Sequence, residues 1–568
     1  MILQTRYAGT SGVINGMAVA HLAFATNMLR EPTLFEGTLA QPLLMREAMG
    51  ALHGVVVSDH RYHPRDRLAF FAWLAEQDRA FLAGLAAKGQ KARQRAEAIN
   101  VRLAELDEAR EHRLRPFHAA RRRYFDYAYE LEYELQYLLD PVITVHPDEI
   151  SFEAFSRDQS TYARLAARHE LFAKVGHFEC GTTNIDFSAR LATEMQRMRS
   201  YRDTRFTFDP GGFTVAHADV SAAHKEKKIE LPESWVMGFL QVHSTMTLEL
   251  TRLRIALVDM YNVCRFLRRR KARKSPRALR YELTPGQVPR VVLEPWEHVI
   301  ELASSPVYDG PAFKSVRTWG RDRLQAIARL LPVCRGVDVY LAGFGLPTIY
   351  VADLGPAASF TLALSGWTDN DWTGTTARFD LLTRPLTISA DELMRAYHAM
   401  RDVRVSTDAG LAQRTGLTVP QARSALSYLC QVGRAMYDLA GRTYRHRDLF
   451  AEPFTPGQAA AVVSPAAEES DPRANIAREI VDSDNIRIIA RRPVPDGYKV
   501  SGSAKSDGDN TRHRPLFHIS AAGHLIEAEC SCAFYKKYKL TQGPCEHILA
   551  LRLAHMARLE SEKGGTTG

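Results

Sequence analysis

The 568 residues carry 45% hydrophobic and 24% charged side chains, which suits several cored domains and excludes a disordered or fibrous chain. The net charge of +9 permits a nucleic-acid or acidic partner without requiring one. No apolar run approaches the roughly 18 residues of a membrane helix, the first residues lack a signal-peptide profile, and the cysteines do not suggest a disulfide framework, so the expected location is cytoplasmic.

Residues 1–63 read as a mixed segment with a strand-like run, GVVVSDH, at Gly54–His60. Residues 64–138 carry apolar positions at helical spacing, then a charged Ala/Leu-rich stretch, and are expected to form a helical hairpin broken or kinked at Pro116. Residues 139–387 read as a mixed α/β domain. Its clearest strands are Val337–Gly343, Thr348–Leu354 and Ser359–Ser365, and the short Gly/Pro turns between them favour antiparallel pairing. Cys180, Cys264, Cys334 and Cys430 are scattered singly in apolar surroundings, as small core residues are. The densest basic runs, Arg121–Tyr127 and Phe266–Arg277, read as solvated helix faces or loops.

Residues 388–450 have the layout of a winged helix-turn-helix. Thr407 or Asp408 caps a short helix, Gly416 turns the chain, and Thr418 caps a second helix with Pro420 in its first turn. Leu411, Ala422, Ala425, Leu426 and Leu429 face inward. Gln421, Arg423, Ser424, Ser427 and Tyr428 are expected to face out. Two short strands then pair across Ala440–Gly441 as the wing. On DNA, the second helix with Arg423 would enter the major groove and Arg442, Arg445 and Arg447 would touch phosphates. Docking to protein is the alternative use of this fold. Residues 451–475, rich in Ala, Pro and acidic residues, read as a linker.

The segment 476–558 ends in CSCAFYKKYKLTQGPCEH. Cys530, Cys532, Cys545 and His547 form a C-x-C and a C-x-H pair, 12 residues apart, with strands before and a helix after. Three thiolates and one imidazole are the ligand set of a closed tetrahedral structural zinc site, expected to hold one Zn²⁺. His555 is expected at the surface. Between the pairs, Tyr535 and Lys536, Lys537 and Lys539 suit either base stacking and phosphate contact, or packing beneath the metal with lysines offsetting its charge. The tail 559–568 is expected to be disordered.

Catalytic signatures are sparse. No Gly-Lys dipeptide occurs, so there is no Walker A loop, and neither H-E-x-x-H nor G-x-S-x-G is present. The acidic run in Trp367–Trp372 reads as a loop with Asx turns. Glu153 and Asp186 are a candidate carboxylate pair without an accompanying base or nucleophile.

The zinc-ligand segment resembles the SWIM zinc finger. With Leu139–Leu165, Phe178–Ser188, FGLPTIYVADLG, ALSGWTDNDW and the winged helix in the same order, most of the chain resembles the long bacterial SWIM zinc finger proteins encoded beside MoxR-type AAA+ ATPases and von Willebrand A-domain proteins. The fold class expected is α+β multidomain: a mixed α/β body with a long helical hairpin, a winged helix-turn-helix domain and a C-terminal SWIM zinc finger domain. The resemblance implies a non-catalytic adaptor that binds DNA, RNA or a protein client and works with an ATPase. The alternative is a hydrolase or nuclease with its site in residues 140–387.

Overall fold

The computed structural model describes residues 12–15, 19–25, 33–60, 73–80, 90–135, 141–184, 192–193, 195–201, 203–209, 233–248, 250–272, 274–310, 313–343, 345–366, 371–373, 379, 388–450, 452–463, 472–494, 497–506, 511–520 and 525–564. Residues 59–138 form one compact unit and the rest of the chain another. The smaller unit contains a 46-residue helix, Gln90–Leu135, that continues through Pro116. The expected break does not occur there. Ala, Leu, Arg and Glu, all strong helix formers, flank the proline and sustain the helix across its missing N–H. Arg79 pairs with Asp107 at 3.0 Å, tying residues 73–80 to the long helix.

The larger unit is mixed α/β, built on an eight-stranded sheet. Its strands run in the order Thr251–Ile255, Gly336–Leu341, Thr348–Asp353, Ala358–Leu364, Thr161–Arg168, Glu149–Phe155, Val142–Val145 and Gly181–Asn184. Every neighbouring pair is antiparallel, as short turns require within 142–168 and within 336–364, and the remaining pairs join strands distant in sequence. Most of these strands are buried on both faces, which explains their continuous apolar runs. One face is covered by the Pro42–Val56 helix through Met45, Ala48 and Leu52. Val55 and Val56, part of the run expected as a strand, instead form its last turn. The preceding LLMREAMGALH has helical periodicity and carries them along.

The other face packs under the Glu233–Met246 helix, where Trp235 and Phe239 meet Phe155 edge-on. That core continues through Leu439 and Leu449 into Val500 and Phe517 of a C-terminal four-stranded sheet and Ile548 of the helix packed on it. Residues 451–475, expected as a linker, are largely helical where described. Pro456–Val463 and Pro472–Asp482 are helices, and Ala459 is fully buried in the core of residues 388–463. The Ala-rich run favours helix over coil. Residues 464–471 lie outside the described residues, as do Asp186 and 367–370. The tail is helical as far as Gly564, so that only 565–568 fall outside the description.

Residues 390–446 fold as helix, short strand, two helices and a hairpin, with strands Val405–Ser406, Thr443–His446 and Ala435–Asp438 forming one sheet. Local sequence signals set each boundary. Thr407 accepts from the Gly410 N–H, and Thr418 and Gln421 form a reciprocal cap. Gly416 turns the chain at φ 71°, where a side chain would be strained.

This hairpin is pinned to the large sheet by ion pairs, whose arginines are buried. Arg445 grips Asp148 with two bonds of 2.7 and 3.0 Å and donates to Asp438 at 3.1 Å. Arg164 bridges Glu149 and Asp438. Arg447, fully buried, donates to both oxygens of Glu153 at 2.8 and 2.9 Å, and its guanidinium stacks 4.5 Å from the Phe239 ring centre. Tyr162 also donates to Glu153, at 2.7 Å. His243, wholly buried beside this carboxylate, accepts from the Tyr437 N–H.

Burial depresses His243 to about 4, although Glu153 pulls the other way. A histidine held neutral in the fold contributes stability that is present above its unfolded value near 6.5. That stability is lost as pH falls from there to about 4. Urea unfolding should therefore weaken over this window by on the order of 3 kcal/mol. The slope should flatten in His243→Gln. Equal slopes for the two proteins would show that His243 does not titrate on unfolding.

Candidate metal centre

The C-terminal sheet runs Ile486–Val494, Gly497–Ala504, Leu516–Ser520 and Leu525–Glu529, all antiparallel. Cys530 follows the last strand immediately. Cys532 caps the short helix Ala533–Tyr538, its sulfur accepting from the Tyr535 N–H at 3.3 Å. Gly543 turns at φ 87°, and Cys545 then leads into the Glu546–Gly564 helix, its carbonyl accepting from Leu549. Two helix starts thus aim the C-x-C and C-x-H pairs at one point. The long helix closes over the sheet at Gly502, where an added Cβ would lie 2.4 Å from Leu551.

The ligand atoms of Cys530, Cys532, Cys545 and His547 lie within 4.8 Å of one another, and all four residues are buried. A tetrahedron with arms of about 2.3 Å has edges of roughly 3.8 Å, so the spacing fits one four-coordinate ion. Hydrogen bonding to Cys530 and Cys545 holds the Cys532 thiol well below its ordinary range. Bonds to Cys530 and Cys532, together with burial, push Cys545 up. Burial lowers His547, but bonds to Cys530, Cys532 and Glu546 outweigh it and raise the imidazole to about 11. Three thiols and an imidazole crowded this closely compete for protons, and a soft cation bound by all four would take the place of those protons. Ser506 Oγ lies 3.0 Å from His547 Nε2, while Nδ1, 3.1 Å from Glu546, is buried without a hydrogen-bond partner, so one ring nitrogen is oriented and the other stays open to an ion. Among the described residues no other His, Cys, Asp or Glu group has metal-site geometry.

The residues between the pairs divide sharply. Tyr535 is buried beneath the knuckle and donates to the Ala528 carbonyl at 2.6 Å. Lys536, Lys537 and Lys539 are exposed, Lys537 over the Tyr538 ring and Lys539 over Tyr535. His555, expected at the surface, is fully buried against Tyr498 and Phe517. It lies two turns beyond His547, on the face that the helix turns to the sheet.

The arginines singled out for DNA are placed differently. Arg442 is exposed at the hairpin turn. Arg423 pairs with Asp408 at 2.6 Å. Arg445 and Arg447 are buried against carboxylates, so neither presents its charge to solvent. Ser424 and Ser427, expected to face out, are buried, and the Glu233–Met246 helix packs against the Val419–Gln431 helix. Glu153, offered as half of a carboxylate pair, is instead the buried partner of Arg447. Cys264 and Cys430 are buried, which pushes both thiols up to about 12, away from nucleophilic use.

No protein-family model matches the chain, and no curated protein matches it. Among solved structures the chain is similar to proliferating cell nuclear antigens from Entamoeba histolytica and Thermococcus kodakaraensis. Identities are 11% and 12%, with 41% of this chain and 92% and 93% of those chains covered, and TM-scores are 0.27 and 0.26. A PCNA2–PCNA3 complex from Sulfolobus tokodaii matches at 7% identity and TM-score 0.27, over 41% of this chain and 93% of that one. Likeness at this level carries no functional argument. No helix among the described residues is long and apolar enough to cross a membrane.

Proposed function

We propose that the chain is a zinc-stapled, non-catalytic recognition protein. Its segment 476–558 is a SWIM zinc finger domain holding one structural Zn²⁺ on Cys530, Cys532, Cys545 and His547. The observation that carries this reading is the buried Cys₃His cluster, whose soft donors and closed surroundings suit zinc and leave no position for substrate. Residues 388–450 are a winged helix used as an internal brace, since its second helix and wing arginines are spent on packing. Recognition then falls to the exposed lysines of the knuckle, which face a DNA or RNA backbone. The family resemblance assigns ATP-driven work to a MoxR-type AAA+ partner and a von Willebrand A-domain protein, and the chain has no phosphate loop of its own. Size-exclusion of the co-expressed proteins tests that assembly, and separate elution of the three with and without nucleotide refutes it.

The lysine reading is checked by titrating a fluorescent single-stranded oligonucleotide at several salt concentrations. Replacing Lys536, Lys537 and Lys539 by Ala should lower the log–log salt slope by about 2, at ~0.7 per phosphate contact. An unchanged slope would mean that these lysines only balance the −1 charge of three thiolates and one Zn²⁺.

A further inference from the structure

We infer that a second nucleic-acid site lies on the body, in a groove between the Leu257–Arg269 helix and the edge strand His298–Glu301. The groove has a volume of about 560 Å³ and is lined by Asn262, Arg265, Phe266, Arg269, Arg270 and His298. Such a volume lies in the ~300–1,000 Å³ range of ligand pockets.

The helix side of the groove is basic throughout, while Glu297 and Glu301 flank the strand side. From Asn262 to Tyr281 the sequence contains Arg265, Arg268, Arg269, Arg270, Lys271, Arg273, Lys274, Arg277 and Arg280 and no acidic residue. Cations in a last helical turn complement the helix dipole, but one or two suffice for that, and Arg268 and Arg269 already stand there. Arg265, Arg269 and Arg270 are exposed, Arg270 5.4 Å from the Phe266 ring centre, whereas Arg280 is neutralised by Glu294 and Glu297. The first three also contrast with Arg445 and Arg447, whose charges are neutralised inside the fold.

The aromatic component is also in place. Phe266 stacks on His298 with ring centres 4.5 Å apart and planes 8° from parallel, and His298 is exposed. Trp296 abuts Phe266 edge-on at 5.3 Å and fixes it. Tyr261, 47% exposed, precedes Arg265 and Arg269 at four-residue intervals, so the three form one stripe along the helix. A cationic groove bordered by exposed aromatic rings is the arrangement that holds single-stranded nucleic acid, with phosphates on the arginines and bases on the rings. An acidic peptide would use the arginines but gain little from the stacked pair.

The test uses the full chain with Lys536, Lys537 and Lys539 already changed to Ala, which keeps it separate from the knuckle. Binding of fluorescein-labelled oligo-dT is followed by anisotropy across a salt series. Adding Arg265→Ala, Arg269→Ala and Arg270→Ala should lower the salt slope by about a further 2. His298→Ala should weaken binding on the order of tenfold with the slope unchanged, the mark of lost stacking. All these side chains are exposed, and an unchanged thermal melt confirms that the fold survives. Wild-type slope and affinity in the arginine variant would overturn the assignment. So would displacement of the oligonucleotide by polyglutamate as effectively, charge for charge, as by unlabelled oligo-dT, since the occupant would then be an acidic peptide.

Discussion

Cys545→Ser should leave the purified protein without zinc and its C-terminal sheet without protection from hydrogen exchange. Cys545 is fully buried, and it starts the helix whose Ile548 and Leu551 close over the sheet. An ion held by the four residues would tie that helix to the end of the last strand through Cys530 and to the short helix through Cys532. Structural zinc contributes about 10–16 kcal/mol of apparent binding free energy in finger peptides, more than the whole stability of most small domains. Peptides spanning 486–564 should therefore exchange freely in the variant, and in wild type treated with a strong chelator. Peptides from 143–152 should keep their protection, because Ile143, Val145, Ile150 and Phe152 belong to a different core. Zinc-free wild-type protein with intact protection over 486–564 would refute a structural metal.

Arg447→Ala should cost about 3–5 kcal/mol in global unfolding, the largest expected effect away from the metal. The guanidinium is the buried counter-charge of Glu153, and removing it strands a carboxylate with no access to water. In the native protein Glu153 lies far below the usual carboxylate range. Burial alone would raise it, but Arg447, with His243 and Tyr162 behind it, overrides that. Adding Glu153→Gln should recover part of the loss, because the stranded group is then uncharged. The effect should be nearly insensitive to salt, unlike a surface pair. A loss below about 1 kcal/mol, typical of an exposed ion pair, would mean that water reaches Glu153.

What the sequence made legible is local. The Cys530, Cys532, Cys545 and His547 cluster stands out in the sequence because thiolate chemistry at fixed short spacing has few other uses. The helices and turns of 390–446 were found because Thr407, Thr418 and Gly416 act on atoms a few residues away. The strands around Val337, Thr348 and Ser359 were found because apolar runs between Gly/Pro turns have few alternatives. What failed was decided at long range. The orientation of Arg445 depends on Asp148, 297 positions away, and no reading of the wing alone contains that partner. Ser424 and Ser427 look like surface residues, yet both are buried, and their helix packs against Glu233–Met246. His555 is polar in type but sits on the inner side of its helix, where Tyr498 and Phe517 receive it. The groove beside Phe266 was visible only as a basic run, because its other wall comes from a strand thirty residues on.

The Glu153–Arg447 contact also bears on how such a chain can drift over generations. Neither member can change alone without leaving a bare charge in the interior, and an intermediate ancestor carrying one change would be at risk of not folding. The two positions, 294 residues apart, are therefore expected to be inherited as a pair, kept together or exchanged together for an apolar couple of similar volume. Heredity would then tie the 390–446 segment to the sheet beneath it, and recombination that brought in a foreign copy of that segment would fail wherever the incoming residue at 447 did not match the resident one at 153.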